Sequence, residues 1–128
     1  MAKILVAEDE KHIADMIVFK LTNGGHQVIR AQDGEQAITL AASELPDLIL
    51  LDAMMPGLTG FEVLRRLKGD PALRAVPVIM VTAKGHERDV LSGLRGGAVD
   101  YVVKPFSLKE LAARVDLALR KEPPATAS

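Results

Sequence analysis

Cysteine is absent from all 128 residues. Its absence rules out disulfides and thiolate metal sites and suits a reducing compartment. An excess of either charge is missing too, since 16 Lys and Arg nearly offset 17 Asp and Glu. That balance leaves no basic footprint for nucleic acid, and direct nucleic-acid contact is not expected. Long apolar runs are also lacking: no stretch reaches membrane-spanning length, and the opening Met1-Ala2-Lys3 leads into no apolar leader. No membrane association is expected, and the default location is cytoplasmic. Histidine is sparse; His12, His26 and His86 show no metal-ligand spacing and read as surface residues. What is present is a core, because 48% of the chain is hydrophobic over a length suited to one domain.

The apolar residues fall into short runs that end in reactive groups. Leu48-Ile49-Leu50-Leu51 closes on Asp52, and Ile4-Leu5-Val6-Ala7 runs into Glu8-Asp9. Val78-Ile79-Met80-Val81 leads to Thr82, and Tyr101-Val102-Val103 to Lys104-Pro105. Gln27 to Ala31 is a further, more polar run and reads as a strand nearer an edge. Between the runs lie helical patterns. The first, about Lys11 to Asn23, puts Ile13, Met16, Ile17 and Leu21 on one face, with Gly24-Gly25 as its stop. Capping signals open three more helices, at Asp33 with Gln36, Thr59 with Glu62, and Ser107 with Glu110. The last of these has Leu108, Leu111, Ala112, Val115 and Leu119 on its inner face. A fourth helix, roughly His86 to Arg95, is weakened by its glycines and is expected to be the most mobile.

Regular alternation of strand and helix implies a parallel sheet covered on both faces. Right-handed crossovers then bring every strand's carboxyl end to one rim, where ligand sites in open α/β sheets lie. Three carboxylates, a hydroxyl and an ammonium converge there. The expected domain spans residues 1–120, and 121–128 reads as a disordered tail or linker stub. Both a stand-alone domain and a domain cut from a longer protein fit this reading.

In their order, Glu8-Asp9, the run Asp47 to Gly57 around Asp52, Val81-Thr82-Ala83, and Asp100 to Phe106 resemble the receiver domains of two-component response regulators, chemotaxis regulators among them. The resemblance covers about Lys3 to Arg120. It implies a flavodoxin-like (βα)5 fold with five parallel strands in the order 2-1-3-4-5. It implies that Asp52 is the phosphoacceptor, taking a phosphoryl group from the phosphohistidine of a sensor histidine kinase or phosphotransfer protein. Lys104 and Thr82 would serve as catalytic and switch residues, Tyr101 as a rotameric reporter, and Ala53 and Ala83 as backbone donors to the phosphoryl group. Pro105 would follow a cis peptide bond. Glu8, Asp9, Asp52 and the Met54 carbonyl would hold Mg2+, the hard cation that such oxygen donors select.

The same resemblance implies a downstream output domain or target protein that reads the face made by the fourth helix, fifth strand and fifth helix. That face also offers a homodimer contact, for which Asp100, Lys109, Glu110, Arg114 and Arg120 supply a partial charged set. The molecule would be a phosphoacceptor switch rather than an enzyme, with slow autodephosphorylation because Met54 cannot orient a water. Three alternatives weaken on particular residues. A haloacid-dehalogenase-type phosphotransferase needs a second Asp where Met54 stands. A flavodoxin needs a phosphate loop where Glu8-Asp9-Glu10 would repel the phosphate. A docking-only pseudo-receiver would lack one of the acid, Asp, Thr and Lys set, and none is missing.

Overall fold

Five runs of backbone join side by side in one parallel sheet: β1 (Lys3–Ala7), β2 (Gln27–Ala31), β3 (Leu48–Asp52), β4 (Val78–Ala83) and β5 (Asp100–Lys104). Their order is β2-β1-β3-β4-β5, the flavodoxin-like doubly wound arrangement. The computed structural model describes residues 2–83, 91 and 94–120. The helices described in full are α1 (Lys11–Asn23), α2 (Gly34–Glu44), α3 (Gly60–Gly69) and the last helix, Leu108–Arg120. Most of the fourth helix expected at His86 to Arg95 lies outside the described residues, as does the tail 121–128. None of the described helices is long and apolar enough to cross a membrane.

Because side chains alternate across a strand, each apolar run feeds two cores. Leu5, Ala7, Ile49, Leu51, Val78 and Met80 face α2 and α3, joining Ala37, Ala41, Val63, Leu64 and Leu67. Ile4, Val6, Leu48, Leu50, Ile79 and Val102 point the other way, against Ile17, Leu21, Leu111 and Val115. Every residue of β3 is buried. Each large aliphatic side chain removed from water contributes roughly 1.5–3 kcal/mol, so this central strand and its closing Asp52 are held firmly. The more polar Gln27 to Ala31 run forms the sheet edge, as its composition suggests.

The helix starts follow their caps. Asp33 accepts from the Gln36 N–H at 2.8 Å, and Ser107 Oγ accepts from the Glu110 N–H at 2.9 Å. Thr59 and Glu62 complete a reciprocal capping box. Two sequence expectations need correction. Met16 is 48% exposed, because the inner stripe of α1 is Ala14, Ile17 and Leu21 and Met16 lies to one side of it. His26 is not a free surface residue. Its Nδ1 accepts from the Ala2 N–H at 3.2 Å, and its Nε2 lies 3.4 Å from Asp116 Oδ1, tying the start of β2 to the last helix.

Candidate functional site

Register decides which side chains meet. Ala7 pairs with Leu51, Asp52 with Val81, Thr82 with Val103, and Ala83 with Lys104. The residues that close β1, β3, β4 and β5 therefore share one rim. Asp52 and Glu8 are buried there, and Asp9 is exposed beside them. Carboxylate oxygens of Glu8, Asp9 and Asp52 lie within 4.8 Å of one another.

Lys104 reaches across β4 to these acids. Its Nζ donates to Asp52 Oδ2 at 3.2 Å and to Glu8 Oε2 at 3.4 Å. Glu8 Oε1 lies nearer, at 3.1 Å, but without hydrogen-bond geometry. The other Asp52 oxygen, Oδ1, accepts from the Met54 N–H at 3.1 Å. Thr82 is 2% exposed, and its hydroxyl has no hydrogen-bond partner among the described residues. A buried hydroxyl left unmatched is costly, and an anion with oxygen acceptors at this rim would satisfy it. Tyr101 is half-buried and packs on the core that faces α2 and α3. The peptide bond between Lys104 and Pro105 is cis.

The response regulator receiver domain family matches residues 4–116. The chain belongs to that family. It is 44% identical over 122 residues to the phosphate regulon transcriptional regulatory protein PhoB of Escherichia coli, a match covering 95% of this chain and 53% of that protein. The chain thus spans about half the length of the curated relatives it matches. Among solved structures, it is similar to the receiver domain of a Francisella response regulator, at 36% identity and TM-score 0.87, covering 94% and 98% of the two chains. It is also similar to the chemotaxis protein CheY4 of Vibrio cholerae, at 30% identity and TM-score 0.87, covering 92% and 98%.

The electrostatics of this receiver site are unbalanced. Burial pushes the Glu8 carboxyl up to about 7, and its contact with Asp52 and the charge there push the same way. The Glu10 N–H and the Lys104 ammonium pull it back only in part. Burial works against the Lys104 ammonium, yet the charges of Asp52 and Glu8 outweigh it and hold the ammonium above the ordinary lysine range. Three carboxylates against one ammonium leave an excess of negative charge built from hard oxygen donors. Such a set fits Mg2+, which takes one or two carboxylates and keeps several waters, and receiver domains typically bind that ion at an acidic pocket.

One backbone donor expected at the site is already engaged in the sheet. The Ala53 N–H donates to the Val81 carbonyl at 2.8 Å, because the β3–β4 ladder continues one residue beyond Asp52. The Met54 N–H faces the Asp52 carboxylate. Gly60, which sequence reasoning passed over, opens α3 directly against β3. A Cβ there would collide with the Asp52 carbonyl oxygen and sit 2.8 Å from Ala53 Cα. Its only sequence signal is a glycine directly after the capping Thr59.

At the far side of β5, Arg114 donates to both Asp100 oxygens at 2.9 Å and to Glu110 Oε2 at 3.3 Å. Three members of the charged set expected for a dimer contact thus pair within the chain.

Proposed function

We propose that this receiver is a phosphorylation switch in which Asp52 takes a phosphoryl group from a phosphohistidine. The donor would be a sensor histidine kinase or a phosphotransfer protein. The observation that carries the reading is Asp52 itself, buried at a strand end beside the Lys104 ammonium, with Thr82, whose hydroxyl has no partner among the described residues, near the end of the neighbouring strand. In the step, an Asp52 oxygen forms the new P–O bond while the P–N bond breaks. The imidazole nitrogen leaves with the electron pair, and Asp52 becomes an acyl phosphate.

Each neighbour has a task. Lys104 shifts from the carboxylates to a phosphoryl oxygen, neutralising the charge that builds there. Thr82 donates to a second phosphoryl oxygen and gives up no existing bond among the described residues to do so. Ala83 would offer its N–H, and the Met54 N–H follows the acceptor oxygen. Glu8, Asp9, Asp52 and the Met54 carbonyl would hold Mg2+, which when bound offsets the negative charge facing the incoming anion. Met54, 56% exposed at the rim, carries no group able to orient a water. The phosphorylated state therefore decays slowly, and the protein acts as a switch more than as an enzyme.

Movement of Thr82 toward the phosphoryl group would free space for Tyr101 to turn inward, altering the face of β5 and the last helix. An output domain or target protein reads that face, and the likeness to PhoB favours an output in transcriptional control. Asp100, Glu110 and Arg114 satisfy one another within the chain, which supports a monomer at rest. The setting is taken as cytoplasmic, where kinase phosphohistidine and magnesium occur together.

The test is to incubate the protein with acetyl phosphate and Mg2+ and map the added mass. A phosphoryl adduct on Asp52 is expected, lost in Asp52→Asn and suppressed by excess chelator. An adduct that persists in Asp52→Asn would sink the assignment.

A further inference from the structure

Arg30 lies on the edge strand β2, in register with Val6 of β1. Its Nη2 donates to the Glu8 carbonyl at 3.1 Å and to the Asp9 carbonyl at 3.4 Å, and its Nε reaches the Glu8 carbonyl at 3.4 Å. The next residue, Ala31, accepts from the Glu8 N–H at 3.1 Å. One edge strand therefore holds both backbone groups of Glu8 and the carbonyl of Asp9.

The loop after β1 needs this outside support. Of the four fully described helices, α2, α3 and the last helix open with a side-chain capping bond. The α1 N-cap, Glu10, makes no side-chain capping bond, and the first turn of α1 contains no acidic residue. Within the loop, Glu8 Oε2 accepts from the Glu10 N–H at 3.1 Å, a contact that restrains Glu8 and leaves Asp9 out. The Asp9 carboxylate is exposed, and no hydrogen bond fixes it among the described residues. Its aim toward Asp52 is set by the backbone on which it sits.

We infer that Arg30 is a positioning residue for the divalent-cation site, clamping the Glu8–Asp9 backbone so that both carboxylates face Asp52. This rests on the magnesium reading of the same site. The guanidinium suits the task because its planar fork can serve two carbonyls at once, which an ammonium on a flexible stem does less well. Groups that orient metal ligands without touching the metal matter substantially for affinity. A second effect opposes this one, since a fixed positive charge near the site repels a divalent cation. The two effects predict opposite outcomes when the charge is removed, so they are separable.

The experiment is a Mg2+ titration of wild type, Arg30→Met and Arg30→Lys, followed by backbone amide NMR shifts. Thermal melting in chelator runs alongside. Arg30→Met is expected to bind Mg2+ about 10-fold more weakly, with Arg30→Lys in between. The magnesium concentration that half-saturates acetyl phosphate labelling should rise by the same factor, while the rate at saturating magnesium changes little. If Arg30→Met loses its fold, Arg30→Lys carries the test, with about a 3-fold weakening expected from partial loss of an orienting contact.

Magnesium binding as tight as wild type, or tighter, in the variants would overturn the inference and leave the guanidinium as a charge or a fold support. A lowered melting temperature with an unchanged magnesium constant would overturn it as well. Wild type that binds no magnesium would fail the metal reading itself and take this role with it. That result is distinct from a wild type that binds while Arg30→Met binds equally.

Discussion

Glu8 is 1% exposed and shares its surroundings with Asp52, so its proton is held to about 7 rather than to the ordinary 4.5. The consequence for stability has a definite sign. Between pH 4.5 and about 7, the folded chain keeps a proton that the unfolded chain has released. Stability is therefore greatest below that window and falls as pH rises through it, because the folded state must then bear a buried charge. In chelator, Glu8→Gln should melt at about the same temperature as wild type near pH 4.5. It should melt increasingly above wild type as pH approaches 8. Melting curves followed by circular dichroism across that range decide it, and parallel profiles would mean that Glu8 does not titrate there. Saturating magnesium should shrink the difference, since the cation takes over the role of the proton.

Among the elements, strands were more legible than helix faces. An apolar run closed by Asp52, or by Glu8-Asp9, identifies a buried strand because few other contexts need both features in sequence. Helix α1 was harder. Hydrophobicity pointed to Met16, while the packed stripe uses Ala14, whose small side chain lets the helix approach the sheet. Close approach also explains Gly60, where the start of α3 abuts the Asp52 carbonyl. No pattern of polar and apolar residues reports a backbone contact of that kind. Gly60→Ala should destabilise the fold by about 1–3 kcal/mol through overpacking, despite the gain in helix propensity of about 1 kcal/mol. A urea midpoint equal to or above that of wild type would show that α3 can shift without cost. Long-range side-chain contacts escaped for a related reason. Arg30 meets Glu8 across 22 residues and His26 meets Asp116 across 90, and only register and crossover geometry bring such pairs together.

Over the whole molecule, the sheet divides two tasks. Its carboxyl rim gathers Glu8, Asp9, Asp52, Thr82 and Lys104, while β5 and the last helix form a flank that leads away from the rim. The convergence itself was readable, because four strand endings in a parallel sheet must share an edge. How far a change at the rim travels is a matter of differential stabilisation: a bound phosphoryl group shifts the flank only if it favours one arrangement over the other. Beryllofluoride with Mg2+ should therefore move backbone NMR signals of Asp100 to Lys104 and of the last helix, as well as those around Asp52. In Thr82→Ala, the shifts should contract to the rim. Equal changes in both proteins would mean that Thr82 carries no part of the coupling.

Tyr101 has a consequence for measurement. It is the only tyrosine in a chain with no tryptophan, and it sits half-buried on β5 one strand from Thr82. Ultraviolet emission from this protein therefore originates essentially at one side chain, next to the strand that carries Thr82. Quenching by iodide or acrylamide would gauge how open that ring is to solvent, without mixing from other fluorophores. Stopped-flow traces on the unlabelled chain would then test whether the ring changes its burial on phosphorylation, with the dye already built into the protein.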